Sequence, residues 1–119
     1  ANTLDDYEEG VWAATGNNSP TSDLTYTKIG NRVTCTGFIT GGSGGTLGAL
    51  ISGLPYTSAN DVAGTAGGGV VFWNNHAASQ TYTINVNANA KNFYMFQGAT
   101  ALDLGASKTV RVVISYQAA

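Results

Sequence analysis

A period of two is the feature that most constrains this chain. Over Gln80–Asn87, Tyr82, Ile84 and Val86 fall on one side of an extended backbone and Thr81, Thr83 and Asn85 on the other. That alternation belongs to a strand with one face in a core and one in water. It recurs over Arg32–Thr40, where Val33, Cys35, Gly37 and Ile39 share a face and Thr34, Thr36 and Phe38 share the other. Gly30-Asn31 joins this segment to Leu24–Ile29 with hairpin chemistry. Further strands are expected at Thr46–Ile51, Val70–Trp73, Phe93–Phe96 and Lys108–Tyr116. Gly41–Gly45, Ser52-Gly53-Leu54-Pro55, Asn74-Asn75 and Asn87–Asn92 supply the turns, and Thr57–Gly69, poor in large apolar residues, reads as a loop. Turn signals at roughly ten-residue spacing, with no helical periodicity after residue 10, predict an all-β antiparallel β-sandwich or jelly roll of seven to eight strands.

The 119 residues amount to one domain. Only 10% are charged, against roughly 25% in ordinary soluble domains. Thr, Asn and Ser take over the surface. A net charge of −2 lacks the basic footprint of a nucleic-acid binder. The 43% hydrophobic content argues against disorder, and no apolar run approaches the ~18 residues of a membrane span. No secretory signal is evident. Four of the seven acids, Asp5, Asp6, Glu8 and Glu9, lie in the first nine residues. That concentration divides the chain into an acidic N-terminal connector over residues 1–10 and a single β-sandwich domain over 11–119. Thr3 and Asp6 have capping-box spacing, so the connector is either one short helical turn ended by Gly10 or a solvated acidic tail. The start at Ala1 fits both a processed initiator Met and a fragment of a longer chain.

Little in the sequence points to catalysis. Cys35 is the only cysteine, which leaves no internal disulfide, and its mid-strand apolar position favours an inert thiol over a nucleophile paired with His76. Beyond the connector only Asp23, Asp61 and Asp103 remain as carboxylates, with no spacing that pairs them for glycoside hydrolysis. The acidic run lacks the ligand spacing of a calcium loop, and Gly41–Gly45 and Gly67–Gly69 lack the Lys-Ser/Thr of a phosphate loop. No enzyme, cofactor or metal is therefore expected. Binding remains. Aromatic faces beside neutral hydrogen-bonding groups suit sugar rings, and Trp73-Asn74-Asn75-His76 at a strand end is the best local candidate, followed by Tyr56 and by Tyr94 with Gln97. The competing assignment puts Trp73 and Tyr94 in the core or a subunit interface.

Three segments carry a family resemblance. Leu4–Trp12 reads LDDYEEGVW, Tyr26–Val33 reads YTKIGNRV and Ile51–Tyr56 reads ISGLPY. In this order they resemble a module of bacteriophage virion proteins that opens LDDYEEGTWTP and continues through YTKIGNRV to ISGLP and an aromatic. The likeness covers the first half of the chain and departs at Val11-Trp12-Ala13-Ala14. It implies a virion protein, commonly trimeric, with a β-rich tip that touches the host surface, and it carries over no catalytic residue. The expectation is a tail-fibre tip: a homotrimer recognising a bacterial surface polysaccharide or receptor beside other virion proteins. Tyr7 and Trp12 would pack between subunits, where aromatics are favoured. The alternative is a structural capsid decoration, or cement, protein. A depolymerase tip is a weaker third reading, since it would need Asp23, Asp61 or Asp103 to cooperate.

Overall fold

A computed structural model describes residues 7–16, 20–42, 50–61, 64–74, 82–97, 100–101 and 108–119, with the backbone alone at Thr65, Trp73, Asn74, Gln97, Thr100 and Ala101. All the regular structure in these residues is antiparallel strand: β1 Tyr7–Trp12, β2 Thr21–Ile29, β3 Arg32–Thr40, β4 Leu50–Ser52, β5 Thr65–Asn74, β6 Tyr82–Asn87, β7 Asn92–Gln97, β8 Thr100–Ala101 and β9 Thr109–Gln117. They form one sheet in the order β1-β2-β3-β9-β5-β6-β7-β4, with β8 added on β7. The sheet curls into a half-barrel. Its two ends meet where Thr15, just past β1, exchanges backbone hydrogen bonds of 2.9 and 3.0 Å with Ser52 of β4. The all-β class is as expected, and opposite walls of a single curled sheet do the work of the two sheets of a sandwich.

The two-residue period decides which side chains fill the inside. Val33, Cys35 and Ile39 of β3, Tyr82, Ile84 and Val86 of β6, and Val110, Val112, Ile114 and Tyr116 of β9 are all buried. Trp12 of β1 meets Phe93 of β7 edge-on across the core, with ring centroids 6.4 Å apart. Gly30 at φ 60° permits the two-residue turn between β2 and β3. The segment after β4 closes one end of the half-barrel. Ser58, fully buried, donates its hydroxyl to the Asn87 carbonyl and accepts the Ala90 N–H at 3.1 Å.

Several boundaries differ from the sequence expectation. Tyr7–Gly10 is neither a helical turn nor a connector outside the domain: it is the first part of β1, paired with β2 from Tyr7↔Ile29 to Trp12↔Leu24. Its acids sit on the edge strand of the sheet, where charge discourages unwanted pairing. The β5 strand begins at Thr65 rather than Val70, so the glycine run is strand and not loop. A Cβ at Gly67 would lie 2.5 Å from the Tyr116 Cβ, and one at Gly69 only 2.0 Å from the Val113 carbonyl oxygen. Close approach of β9 therefore selects glycine there. The third expected strand is represented by Leu50–Ser52, with residues 46–49 outside the described residues.

Candidate functional site

The segments LDDYEEGVW, YTKIGNRV and ISGLPY converge at one end of the half-barrel. Glu8 comes from the first, Tyr26 and Lys28 from the second and Tyr56 from the third. Inward-facing positions of β1 and β2 bring Glu8 and Lys28 opposite each other, and the turn at Ser52–Tyr56 folds back over them. The Tyr56 hydroxyl donates to Glu8 Oε2 at 2.8 Å. That leaves the Tyr26 hydroxyl to donate to Tyr56 across 3.3 Å. Their rings meet edge-on at 5.5 Å, and Lys28 Nζ lies 5.3 Å from the Tyr56 ring centroid and 3.9 Å from Glu8 Oε1. From below, Tyr116 accepts the Tyr56 N–H at 3.1 Å and donates to the Tyr56 carbonyl at 2.9 Å. The bonds to Tyr26 and Glu8 push the Tyr56 hydroxyl pKa upward, and burial does the same to Tyr116. Tyr56, expected as a ligand-binding residue, is thus committed on its hydroxyl, ring and backbone to holding β1 against the barrel end.

The outward face of the sheet is built differently. Along β7, Phe93 and Met95 point into the core, so Tyr94 and Phe96 point out. Their rings lie 5.9 Å apart at a tilt of 41°. Across the β6–β7 ladder Asn85 stands opposite Tyr94 and Thr83 opposite Phe96. Leu50 of β4 flanks Tyr94 on its other side. On the neighbouring β5, Val70 and Phe72 are 45% and 62% exposed. A half-buried aromatic pair, an exposed amide, an exposed hydroxyl and apolar flanks thus share one surface, with no charged side chain on β6 or β7.

No family model, curated protein or solved structure matches the chain.

Among the expected ligand-binding residues, the structure places Tyr94 on this surface. Gln97 ends β7 opposite Thr100, its side chain outside the described residues. Trp73 and Asn74 lie past a β-bulge in β5, their backbones opposite Arg111 and Val110. Their side chains, and the whole of Asn75 and His76, lie outside the described residues. Tyr7, expected between subunits, is 45% exposed on the outward face of β1 and donates to Glu9 Oε2 at 2.6 Å. That carboxylate raises the Tyr7 pKa. Trp12, expected beside it, is instead 8% exposed within the chain's own core, because the pleat turns successive residues to opposite faces and the apolar ring takes the inside. Cys35 is wholly buried, and burial pushes its thiol up to about 12, outweighing the lowering effect of the Trp12 indole N–H. No group of three or more His, Cys, Asp and Glu residues among the described ones is arranged to hold a metal ion.

Phe72 and Phe96 were missed as surface residues, whereas Thr83 and Asn85 stand on the solvent side that the alternation over Gln80–Asn87 gave them. A signal for Phe96 was present: in a strand over Phe93–Phe96 the pleat turns it to the face opposite Phe93, which is buried.

Proposed function

We propose that this chain is a bacteriophage virion component, the tip of a tail fibre, which binds a bacterial surface glycan through the outward face of β6 and β7. One observation carries the reading: the Tyr94–Phe96 ring pair stands beside the exposed Asn85 amide and Thr83 hydroxyl on an uncharged surface. Sugar rings stack their C–H faces on aromatic planes and hydrogen-bond through their hydroxyl edges, and neither contact needs charge. The phage resemblance supports the virion assignment, and the meeting of its three segments in one hydrogen-bonded cluster supports treating them as the framework of one module. In the fibre the chain is a homotrimer. Tyr7 and Ile29, paired on the outward face and 45% and 54% exposed, offer apolar surface for the subunit contact.

The test is binding of the protein to an array of bacterial surface polysaccharides and to a panel of bacterial strains, with Tyr94→Ala alongside. Binding by the parent and its loss in the variant are expected. A parent that binds no cell and no polysaccharide overturns the reading. Decoration of a capsid is the second reading, favoured by the exposed Val70 and Phe72, which suit docking on another virion protein. A copy number in the hundreds per virion would select it over a fibre, whose subunits number in the tens.

A further inference from the structure

The register of the sheet aligns one residue from each of six neighbouring strands into a row across the outward face. Thr27 stands opposite Thr34, Thr34 opposite Ser115, Ser115 opposite Gly68, Gly68 opposite Asn85 and Asn85 opposite Tyr94. We propose that this row is a track for an extended, uncharged polysaccharide chain that lies across the strands and ends on the Tyr94 ring. The inference rests on the glycan-binding reading and specifies what kind of glycan and in which direction it runs.

Four observations carry it. First, the row is neutral throughout, which fits an uncharged partner. Second, its polar groups are available. Thr27, Thr34, Ser115 and Asn85 make no side-chain hydrogen bond among the described residues, whereas in the adjacent row the hydroxyls of Thr25 and Thr36 approach each other at 3.4 Å and Val113 and Val70 are apolar. Third, the spacing is regular. Strands lie ~4.8 Å apart, so five steps span roughly 24 Å, and one step is close to the length that one pyranose adds to an extended chain. Each strand would then face about one sugar. Fourth, the sheet curls around its core, which makes this face convex. A convex surface has no pit for a single terminal sugar, but it has a line for a chain to lie along. At the row's middle Gly68 has no side chain and opens the backbone to the ligand. Beyond Thr27 the row runs into an open groove of about 460 Å³ between β1 and β2, lined by Glu9, Gly10, Val11, Thr25, Tyr26 and Thr27, where the chain can continue.

The experiment is calorimetric titration of the intact protein with neutral cello-, malto- and chito-oligosaccharides of one to eight units, at low and high salt. Affinity in at least one series should climb with each added sugar to about six and stay level between the salt conditions, because no ion pair forms. Thr34→Val keeps the β-branched shape that the strand prefers and deletes one hydroxyl far from Tyr94. It should weaken a six-unit oligosaccharide about fivefold, the worth of one net hydrogen bond, and leave a two-unit one unchanged. Tyr94→Ala should weaken both. Affinity that saturates at one or two sugars, or a Thr34→Val variant that binds long oligosaccharides like the parent, overturns the track while the glycan-binding reading stands. Binding to bacterial cells without binding to any of the three neutral series does the same. Failure to bind cells or polysaccharides of any kind overturns both.

Discussion

The barrel end and the outward face use the same amino-acid types in opposite ways. At the barrel end Tyr26, Tyr56 and Tyr116 spend their hydroxyls on one another, on Glu8 and on the backbone. On the outward face, among the described residues, Tyr94 has Phe96 as its ring partner, and the hydroxyls of Thr27, Thr34 and Ser115 have no partner. Apart from Tyr116 of β9, the first arrangement sits in the segments LDDYEEG, YTKIGNRV and ISGLPY; apart from Thr27, the second lies outside them. Those three segments thus supply much of what holds the barrel end together, and the outward row draws mostly on residues beyond them. Substitutions in the first region should therefore change stability and spare binding, and substitutions in the second should do the reverse.

The most severe test of that division is Trp12→Ala, at the end of LDDYEEGVW. Removing a buried indole that packs edge-on against Phe93 should cost about 3–5 kcal/mol, read by denaturant unfolding. The association state of the remaining folded protein, followed by light scattering, should match the parent, because the ring faces the chain's own core. A variant that melts like the parent but dissociates would return Trp12 to a subunit interface.

Tyr116→Phe probes the same region more gently. The change keeps the ring in the core and removes the hydroxyl that serves both the N–H and the carbonyl of Tyr56. Leaving those groups unpaired at a half-closed site should cost about 1–3 kcal/mol while polysaccharide binding stays at the parent level. Loss of binding without loss of stability would mean that the barrel end, not the outward face, meets the ligand. Tyr94→Ala is the mirror experiment. Its half-buried ring should contribute little to unfolding, within about 1 kcal/mol, yet binding should fall about tenfold or more. If both quantities fall together, the two regions are not separable and the comparison breaks.

How much of this was legible in the sequence follows from how local each cause is. The β2–β3 hairpin was readable because Gly30-Asn31 and the flanking alternation act within a few residues. So were the inward faces of β3 and β6. The start of β5 was not, because what makes Gly67 and Gly69 strand residues is the approach of Ser115–Tyr116 and Val113–Ile114, more than 40 positions away in the chain. The strand character of Tyr7–Gly10 was hidden by its acids, which read as a solvated segment until β2 supplied its pairing partner. Tyr56 looked like a free aromatic for the same reason: its partners Glu8, Tyr26 and Tyr116 come from three other strands. Tyr94 could be proposed from sequence, but the row that leads to it exists only once six strands are in register.

The effect confined to the narrowest range of conditions, alkaline pH, belongs to Cys35, which lies beneath the barrel end with Trp12 beside it. Its thiol is pushed from an ordinary 9.0 up to about 12 by burial. At pH 8 an exposed cysteine titrating at 9.0 is roughly a tenth thiolate, and only the thiolate reacts, so the folded protein should resist an alkylating reagent that labels the unfolded chain. The same shift carries a sign for stability. The folded state holds the proton more tightly than the unfolded state, so the unfolded chain loses it first as pH rises. The contribution of the neutral thiol is complete below about 9 and is lost as pH climbs toward 12. Comparing the parent with Cys35→Ala across that window cancels the tyrosines, which titrate in the same range, and isolates the cysteine. The gap in unfolding free energy between the two proteins should shift against the parent as pH rises. A gap that stays constant would mean that the core under Trp12 admits water, and with it the division between a closed barrel end and an open outward face would lose its sharpest edge.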